Sequence, residues 1–263
     1  MKMLTAVFAS LVLGWVFMTS SHSDGVRANV LASAFEVQDQ VNKTLTLSPG
    51  TDVRVSGFNG YVKVETWDGD RAEINIRVKA SDREAMDRRP VIIDQSGNTL
   101  IIRTENDREG KKGGWDRGWV HHEVNLRLPR AISLRVSSVN GSVTVGQITG
   151  EIAVSSVNGQ VEIAQAETAT ELSSINGRTS VSVRRIGEGG LRISSINGGV
   201  EIQMPESTNA DVEVRSVNWG INADIPINVI GEMKRGQLIG KIGSGGARIT
   251  VTSVNGGVTL RGN

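Results

Sequence analysis

The chain has 263 residues and no cysteine. Disulfides, thiolate zinc sites, iron–sulfur ligation and a cysteine nucleophile are therefore excluded. Aromatic residues amount to only 4%, and neither sign of charge dominates: 29 Lys and Arg stand against 28 Asp and Glu, a formal net charge of +1. No strong global field is left to hold nucleic acid or an acidic surface. Glycine is abundant, at 31 residues. With so few aromatics, that suits a β-rich chain with many tight turns better than a helical bundle. The length allows one or two domains and a sizeable core.

Lys2 precedes an apolar run from Leu4 to Met18, and a polar stretch, Thr19 to Asp24, follows. These are the parts of a secretory signal peptide, and the run is shorter than the roughly 20 residues that a spanning helix needs. A retained N-terminal anchor and a buried helix are the alternatives. Cleavage fits either near Ser23 or at the small-x-small sequence Ala32-Ser33-Ala34. The expected organisation is 1–24 signal peptide or anchor, 25–49 lead-in and 50–263 repeat domain, with one elongated unit running from about residue 36 to the end. Export without cysteine fits a bacterial periplasmic or cell-surface protein stabilised by burial and backbone pairing. Membrane contact is expected only if the N-terminal segment is uncleaved.

The strongest signal is an internal repeat. Asn-Gly recurs at Asn59, Asn140, Asn158, Asn176, Asn197 and Asn255, and a seventh copy, Asn218-Trp219-Gly220, has Trp in the first Gly position. From Asn140 the spacings are 18, 18, 21, 21 and 37. The last reads as two periods, with one rung having lost its motif around Lys234 to Gln237. Four residues before each Asn stand Val55, Val136, Val154, Leu172, Ile193, Val214 and Val251; three after stand Val62, Val143, Val161, Thr179, Val200, Ile221 and Val258. The residue just before is Phe58, Val139, Val157, Ile175, Ile196, Val217 or Val254. Two residues before, Gly57 is followed by Ser138, Ser156, Ser174, Ser195, Ser216 and Ser253.

Each repeat reads as two short strands around a corner. Leu134 and Val136 alternate with Arg135 and Ser137, Val143 and Val145 alternate with Ser142 and Thr144, and the parity slips at Ser138-Val139, where the chain bends. β-branched residues fill the inward columns, and Asn-Gly supplies the left-handed backbone of a sharp bend. Asn-Gly between alternating strands is also a hairpin signal, so an antiparallel hairpin meander is the competing fold. A fixed period and a fixed Ser column favour an all-β, single-stranded parallel β-solenoid (β-helix) with coils of 18–21 residues. Stacked at about 4.8 Å, its Val columns form the core and its Asn column hydrogen-bonds along the stack.

The middle of the chain is less regular. Ala72–Lys79, Val91–Asp94, Thr99–Thr104 and Val120–Leu128 read as strands, Ser81–Pro90 as a charged connection and Glu105–Gly118 as a long charged loop. The 81 residues from Asn59 to Asn140 read as about four coils.

The run Val55 to Asp70, Leu128-Pro129 leading into the repeats, and Ile242 to Gly246 continuing through Thr252 to Leu260 resemble the bacterial "putative adhesin" family of unknown function. The resemblance covers residues 50 to 263. It implies an exported or surface-linked β-solenoid, in some members tied to envelope-stress systems, and supplies no catalytic residues. Trp219 and the loop Glu105–Gly118 depart from the pattern.

Little in the sequence carries chemistry. His121 and His122 alternate on a strand and cannot chelate together; they read as solvent-facing or turn-proximal, beside Glu123. No Gly-x-Ser-x-Gly elbow or phosphate loop occurs, and the repeated Ser reads as corner hydrogen bonding. Glu162 and Glu201 share an outward column, so a carbohydrate-active enzyme stays a minor alternative. Trp67, Trp115, Trp119 and Trp219 lie in or beside turns; Trp115, Trp119 and Trp219 are the candidate partner contacts. The resulting expectation is a non-enzymatic binding or adhesion scaffold without cofactor or metal, with an unidentified envelope or extracellular partner and no nucleic acid. An envelope-stress sensing or regulatory accessory is the alternative.

Overall fold

The computed structural model describes residues 36–105, 118–230 and 234–263. The expected signal segment, both cleavage positions and Trp115 lie outside the described residues. Alternation of apolar and polar residues produces nineteen strands and a single short helix among the described residues. They are β1 (Val37–Thr46), β2 (Thr51–Trp67), β3 (Arg71–Ala80), α1 (Arg83–Asp87), β4 (Val91–Ser96), β5 (Thr99–Thr104), β6 (Val120–Pro129), β7 (Ile132–Asn140), β8 (Val143–Val145) and β9 (Ile148–Asn158). The rest are β10 (Val161–Asn176), β11 (Thr179–Val183), β12 (Leu191–Asn197), β13 (Val200–Met204), β14 (Ala210–Ser216), β15 (Ile221–Ala223), β16 (Asn228–Val229), β17 (Gln237–Ile242), β18 (Ala247–Ser253) and β19 (Val258–Gly262). The protein is all-β, as its composition indicates. Helix α1 falls inside the expected connection Ser81–Pro90, where Asp82 caps it by accepting the Ala85 N–H at 2.7 Å.

The strands flanking each Asn-Gly do not pair with each other as a hairpin would. They pair in parallel with their counterparts in neighbouring repeats, so each coil contributes one strand to each of two stacks. Along the first stack the neighbours run β4, β5, the first half of β2, β7, β9, the second half of β10, β12, β18, β14, β17 and β16. Along the second they run β1, β3, β6, the second half of β2, β8, the first half of β10, β11, β13, β19 and β15. The interior is parallel. Antiparallel strands end both stacks at the β1 end, and β17 and β16 end the first stack at the other.

This arrangement differs from a single-stranded β-helix, because coil order in space is not chain order. β2 lies between the β5–β6 coil and the β7–β8 coil, although both follow it in sequence. The last coil, β18–β19, lies between β12–β13 and β14–β15. Two expectations are thereby corrected. The 81 residues between Asn59 and Asn140 are not four intervening coils: β2 and β7 are direct neighbours, with Val55 opposite Val136. The 37-residue spacing is not a lost rung: Gln237 to Ile242 form an antiparallel strand on β14, and the chain then returns to fill the gap below it.

The core lies between the two stacks. In spatial order Val55, Val136, Val154, Leu172, Ile193, Val251 and Val214 form one buried file, and Val62, Val143, Val161, Thr179, Val200 and Val258 the other. Each buried aliphatic side chain of this size contributes about 1.5–3 kcal/mol relative to exposure. Of the residues just before Asn, Phe58 alone joins this core; Val139, Ile175, Ile196 and Val217 are exposed and Val157 and Val254 half-buried.

Candidate binding surface

The bend fixes the surface. At Gly141 the backbone is left-handed (φ 139°), and a Cβ there would run into the Gly60 carbonyl of the coil below, so the corner column requires glycine. Inside the corner the small Ser side chains are buried; Ser195 and Ser253 donate to the carbonyls of Gly198 and Gly256 at 2.9 and 2.8 Å, and Ser216 donates to that of Trp219 at 2.8 Å.

Outside the corner the Asn side chains form one continuous amide ladder. Asn140 Nδ2 donates to Asn59 Oδ1 at 2.9 Å, Asn158 to Asn140 at 2.8 Å, Asn176 to Asn158 at 2.7 Å and Asn197 to Asn176 at 2.8 Å. The ladder then follows space, not sequence: Asn255 donates to Asn197 at 2.8 Å, and Asn218 to Asn255 at 2.5 Å. At the lower end Asn59 Nδ2 donates to the Val120 carbonyl at 2.7 Å, and its backbone N–H donates to His122 Nδ1 at 3.3 Å.

His122 is not the solvent-facing residue expected from sequence. It is 1% exposed, with its ring edge-on to Phe58 at 5.3 Å between centroids. Burial holds its imidazole down at about 4. His121, on the other side of the strand, is exposed. Among the described residues no three His, Asp or Glu side chains converge as a metal ion would require. Glu162 and Glu201 share their outward file but are two rungs apart, with Ser180 between them.

The corner carries an apolar ridge beside the ladder. In spatial order Val139, Val157, Ile175, Ile196, Val254 and Val217 follow one another; Val217 is 69% exposed. Trp119 (50% exposed) immediately precedes β6 in the lowest coil and Trp219 (64% exposed) stands in the highest, and the coil of buried Phe58 separates Trp119 from Val139. Seven rung spacings separate those coils, about 34 Å. On the other side of the ridge runs an outward hydroxyl file of Ser56, Ser137, Ser155, Ser173, Ser194 and Thr252. Trp67 is occupied locally: its Nε1 donates to the Arg71 carbonyl at 2.9 Å, and the Arg127 guanidinium sits 4.7 Å over its ring. A shallow polar depression nearby is lined by Lys63, Glu65, Glu73, Asn75, Asn125 and Arg127.

Sequence reasoning marks the Asn column but passes over the ridge and the hydroxyl file. The expected parity slip at Ser138-Val139 does not occur: strict alternation from buried Val136 makes Ser137 outward, Ser138 inward and Val139 outward, and it breaks only at Asn140.

No family model and no curated protein sequence matches the chain. Among solved structures it is similar to a "putative cell adhesion protein" from Clostridium sporogenes ATCC 15579, at 11% identity over 86% of this chain and 100% of that one, with a TM-score of 0.49. It is also similar to a "putative adhesin" from Bacteroides fragilis NCTC 9343, at 8% identity over 84% and 97% of the two chains, TM-score 0.35. A "putative lipid binding protein" from Parabacteroides distasonis ATCC 8503 is 12% identical over 84% and 96%, TM-score 0.27. These likenesses concern the course of the chain and carry no argument about a site.

Proposed function

We propose that this chain is an exported, non-enzymatic envelope or surface protein that works as a binding scaffold. The reading treats the stacked coils as a variant β-solenoid, a stiff body whose corner presents one long, regular contact strip. The observation that carries it is the row of exposed Val139, Ile175, Ile196 and Val217, with half-buried Val157 and Val254 between them and exposed Trp219 in the same coil as Val217. Apolar side chains left in water along a continuous line are uncommon away from interaction sites, and Trp anchors are favoured in binding hot spots. Affinity comes from area and repeated weak contacts with a protein or glycan of the cell envelope. A deep pocket has no part in it.

The test compares recovery of envelope components by the wild-type chain with recovery by Ile175→Ser/Ile196→Ser and by Trp219→Ala. Trp115→Ala probes the loop expected from sequence. Loss of the same components in the ridge variants, with unchanged folding, supports the reading. Equal recovery by all variants rejects it.

A further inference from the structure

The two ends of the stack treat their unpaired backbone differently. At the upper end the outermost strands are very short: β15 has three residues and β16 two. Short edge strands are a common way of blocking unwanted pairing. At the lower end β1 pairs with β3 on one side over ten residues, Val37 opposite Ala80 through Thr46 opposite Arg71, and among the described residues no strand pairs with its other side. Its inner apolar side chains Val37, Val41 and Leu45 reach the core but stay only half-buried.

Two contacts show which residues turn their backbone to that edge. The Gln40 N–H is taken by the neighbouring Asp39 carboxylate at 2.8 Å, and the Thr46 carbonyl accepts from Gln95 Nε2 at 3.0 Å. On the other side the Leu47 N–H, continuing the β1–β3 register, donates to the Asp70 carbonyl at 2.7 Å, so odd-numbered residues turn to β3 and the even-numbered residues of β1 face outward along the sheet. An antiparallel partner strand therefore has to match even residues with even residues.

The sequence of β1, Val-Gln-Asp-Gln-Val-Asn-Lys-Thr-Leu from residue 37 to 45, matches its own reverse in one such register. With a two-fold axis through Val41, Val37 faces Leu45 of the second copy, Gln38 faces Thr44, Asp39 faces Lys43, Gln40 faces Asn42 and Val41 faces itself. Gln38–Thr44 and Gln40–Asn42 are then the hydrogen-bonded pairs, while Asp39–Lys43 falls in a non-hydrogen-bonded pair, where side chains approach most closely. Opposite charges meet twice, apolar residues meet apolar ones, Gln40 meets Asn42 and Gln38 meets the Thr44 hydroxyl.

We propose that two copies of this chain join edge to edge through β1, antiparallel and centred on Val41, making one sheet continuous across the dimer. Inward-pointing charges usually keep a strand edge single. Here Asp39 and Lys43 have opposite sign and the spacing by which a second copy neutralises both. In the single chain neither has a close partner of opposite charge: Asp39 accepts the Gln40 N–H and lies 4.0 Å from Arg83 Nη1, and Lys43 Nζ donates to the Ile93 carbonyl at 3.3 Å. The two-fold is isologous and closes at two copies.

The absence of cysteine makes the test direct. Full-length chain carrying Val41→Cys, purified in a non-ionic detergent, is oxidised and run on a non-reducing gel. A non-hydrogen-bonded pair on the axis brings the two Cα atoms to about 4.5 Å, within disulfide reach. The expected result is a disulfide dimer with Val41→Cys and none with Gln38→Cys, which faces Thr44. On the Val41→Cys background, Asp39→Lys or Lys43→Asp alone lowers the cross-linked fraction about tenfold, a loss of about 1.4 kcal/mol, and the two together restore it. Circular dichroism of each variant confirms that the stack is folded. Should Val41→Cys disturb folding, a one-to-one mixture of Gln40→Cys and Asn42→Cys chains joined by a short bis-maleimide reads the same register from the solvent face. Monomer throughout, equal cross-linking of Gln38→Cys and Val41→Cys, or no rescue by the double reversal overturns the proposal.

Discussion

Asn59 and Asn140 are 81 residues apart in sequence, yet their side chains are hydrogen-bonded at 2.9 Å as adjacent rungs of one ladder. The described residues from β3 to β6 lie on the lower side of that contact. The parallel interior is consequently bridged by pairings of long sequence separation at both ends, and its stability rests on register between coils.

The ladder makes position in space, not in sequence, the determinant of each Asn's worth. Asn158 both donates and accepts within the file, whereas Asn218 ends it and donates only to Asn255. At about 0.5–1.5 kcal/mol per net hydrogen bond, Asn158→Ala is expected to cost about twice as much as Asn218→Ala in urea unfolding. Equal costs would show that the amide file contributes nothing specific.

Core positions carry larger penalties. Leu172 is fully buried between Val154 and Ile193. Leu172→Ala is expected to destabilise by about 2–5 kcal/mol, and Val154→Asp to abolish soluble folding because it buries an unpaired charge. Glu162→Gln, on the outward file, is expected to stay within about 0.5 kcal/mol of wild type. Thermal melts of Leu172→Ala and Glu162→Gln, with the soluble yield of Val154→Asp, check the ranking.

His122 gives the fold a pH dependence. Its folded-state value of about 4 lies below the ordinary 6.5. The unfolded chain therefore binds the extra proton between those values, and stability rises with pH there. The contribution is complete above pH 6.5, declines as pH falls toward 4 and is flat below that. Its size is roughly 3 kcal/mol at most. His122→Gln is expected to remove this part of the slope in urea midpoints taken between pH 4 and 7; an unchanged slope would place its origin elsewhere.

Strand content, inward columns and corner chemistry are legible in the sequence because they are local: alternation at Leu134 to Val145 and the Ser and Asn frame depend on neighbours a few residues away. Coil order is not legible, and the reason is the repeat itself. Every coil presents the same Val, Ser and Asn columns, so the frame around Val251 fits between Ile193 and Val214 as well as it would fit after Val214. Burial of His122 is hidden for a related reason: the lowest coil has no Asn-Gly motif to mark its register, and only the pairing with Gly60 places it under Phe58. Of the contact residues expected from sequence, Trp119 and Trp219 stand exposed in the lowest and highest coils. The ridge is hard to read in the sequence because β-branched side chains in a strand read as core.

The interleaved stack is tested most directly by two double-cysteine variants of this cysteine-free chain. Ser194 is opposite Thr252, whereas Arg215 lies one strand beyond Thr252 on the same file. Ser194→Cys/Thr252→Cys is expected to form an intramolecular disulfide on mild oxidation, seen by mass spectrometry, and Ser194→Cys/Arg215→Cys to remain reduced. Ready bridging of 194 to 215 with none between 194 and 252 would mean that the coils follow chain order, and the architecture described here would be contradicted.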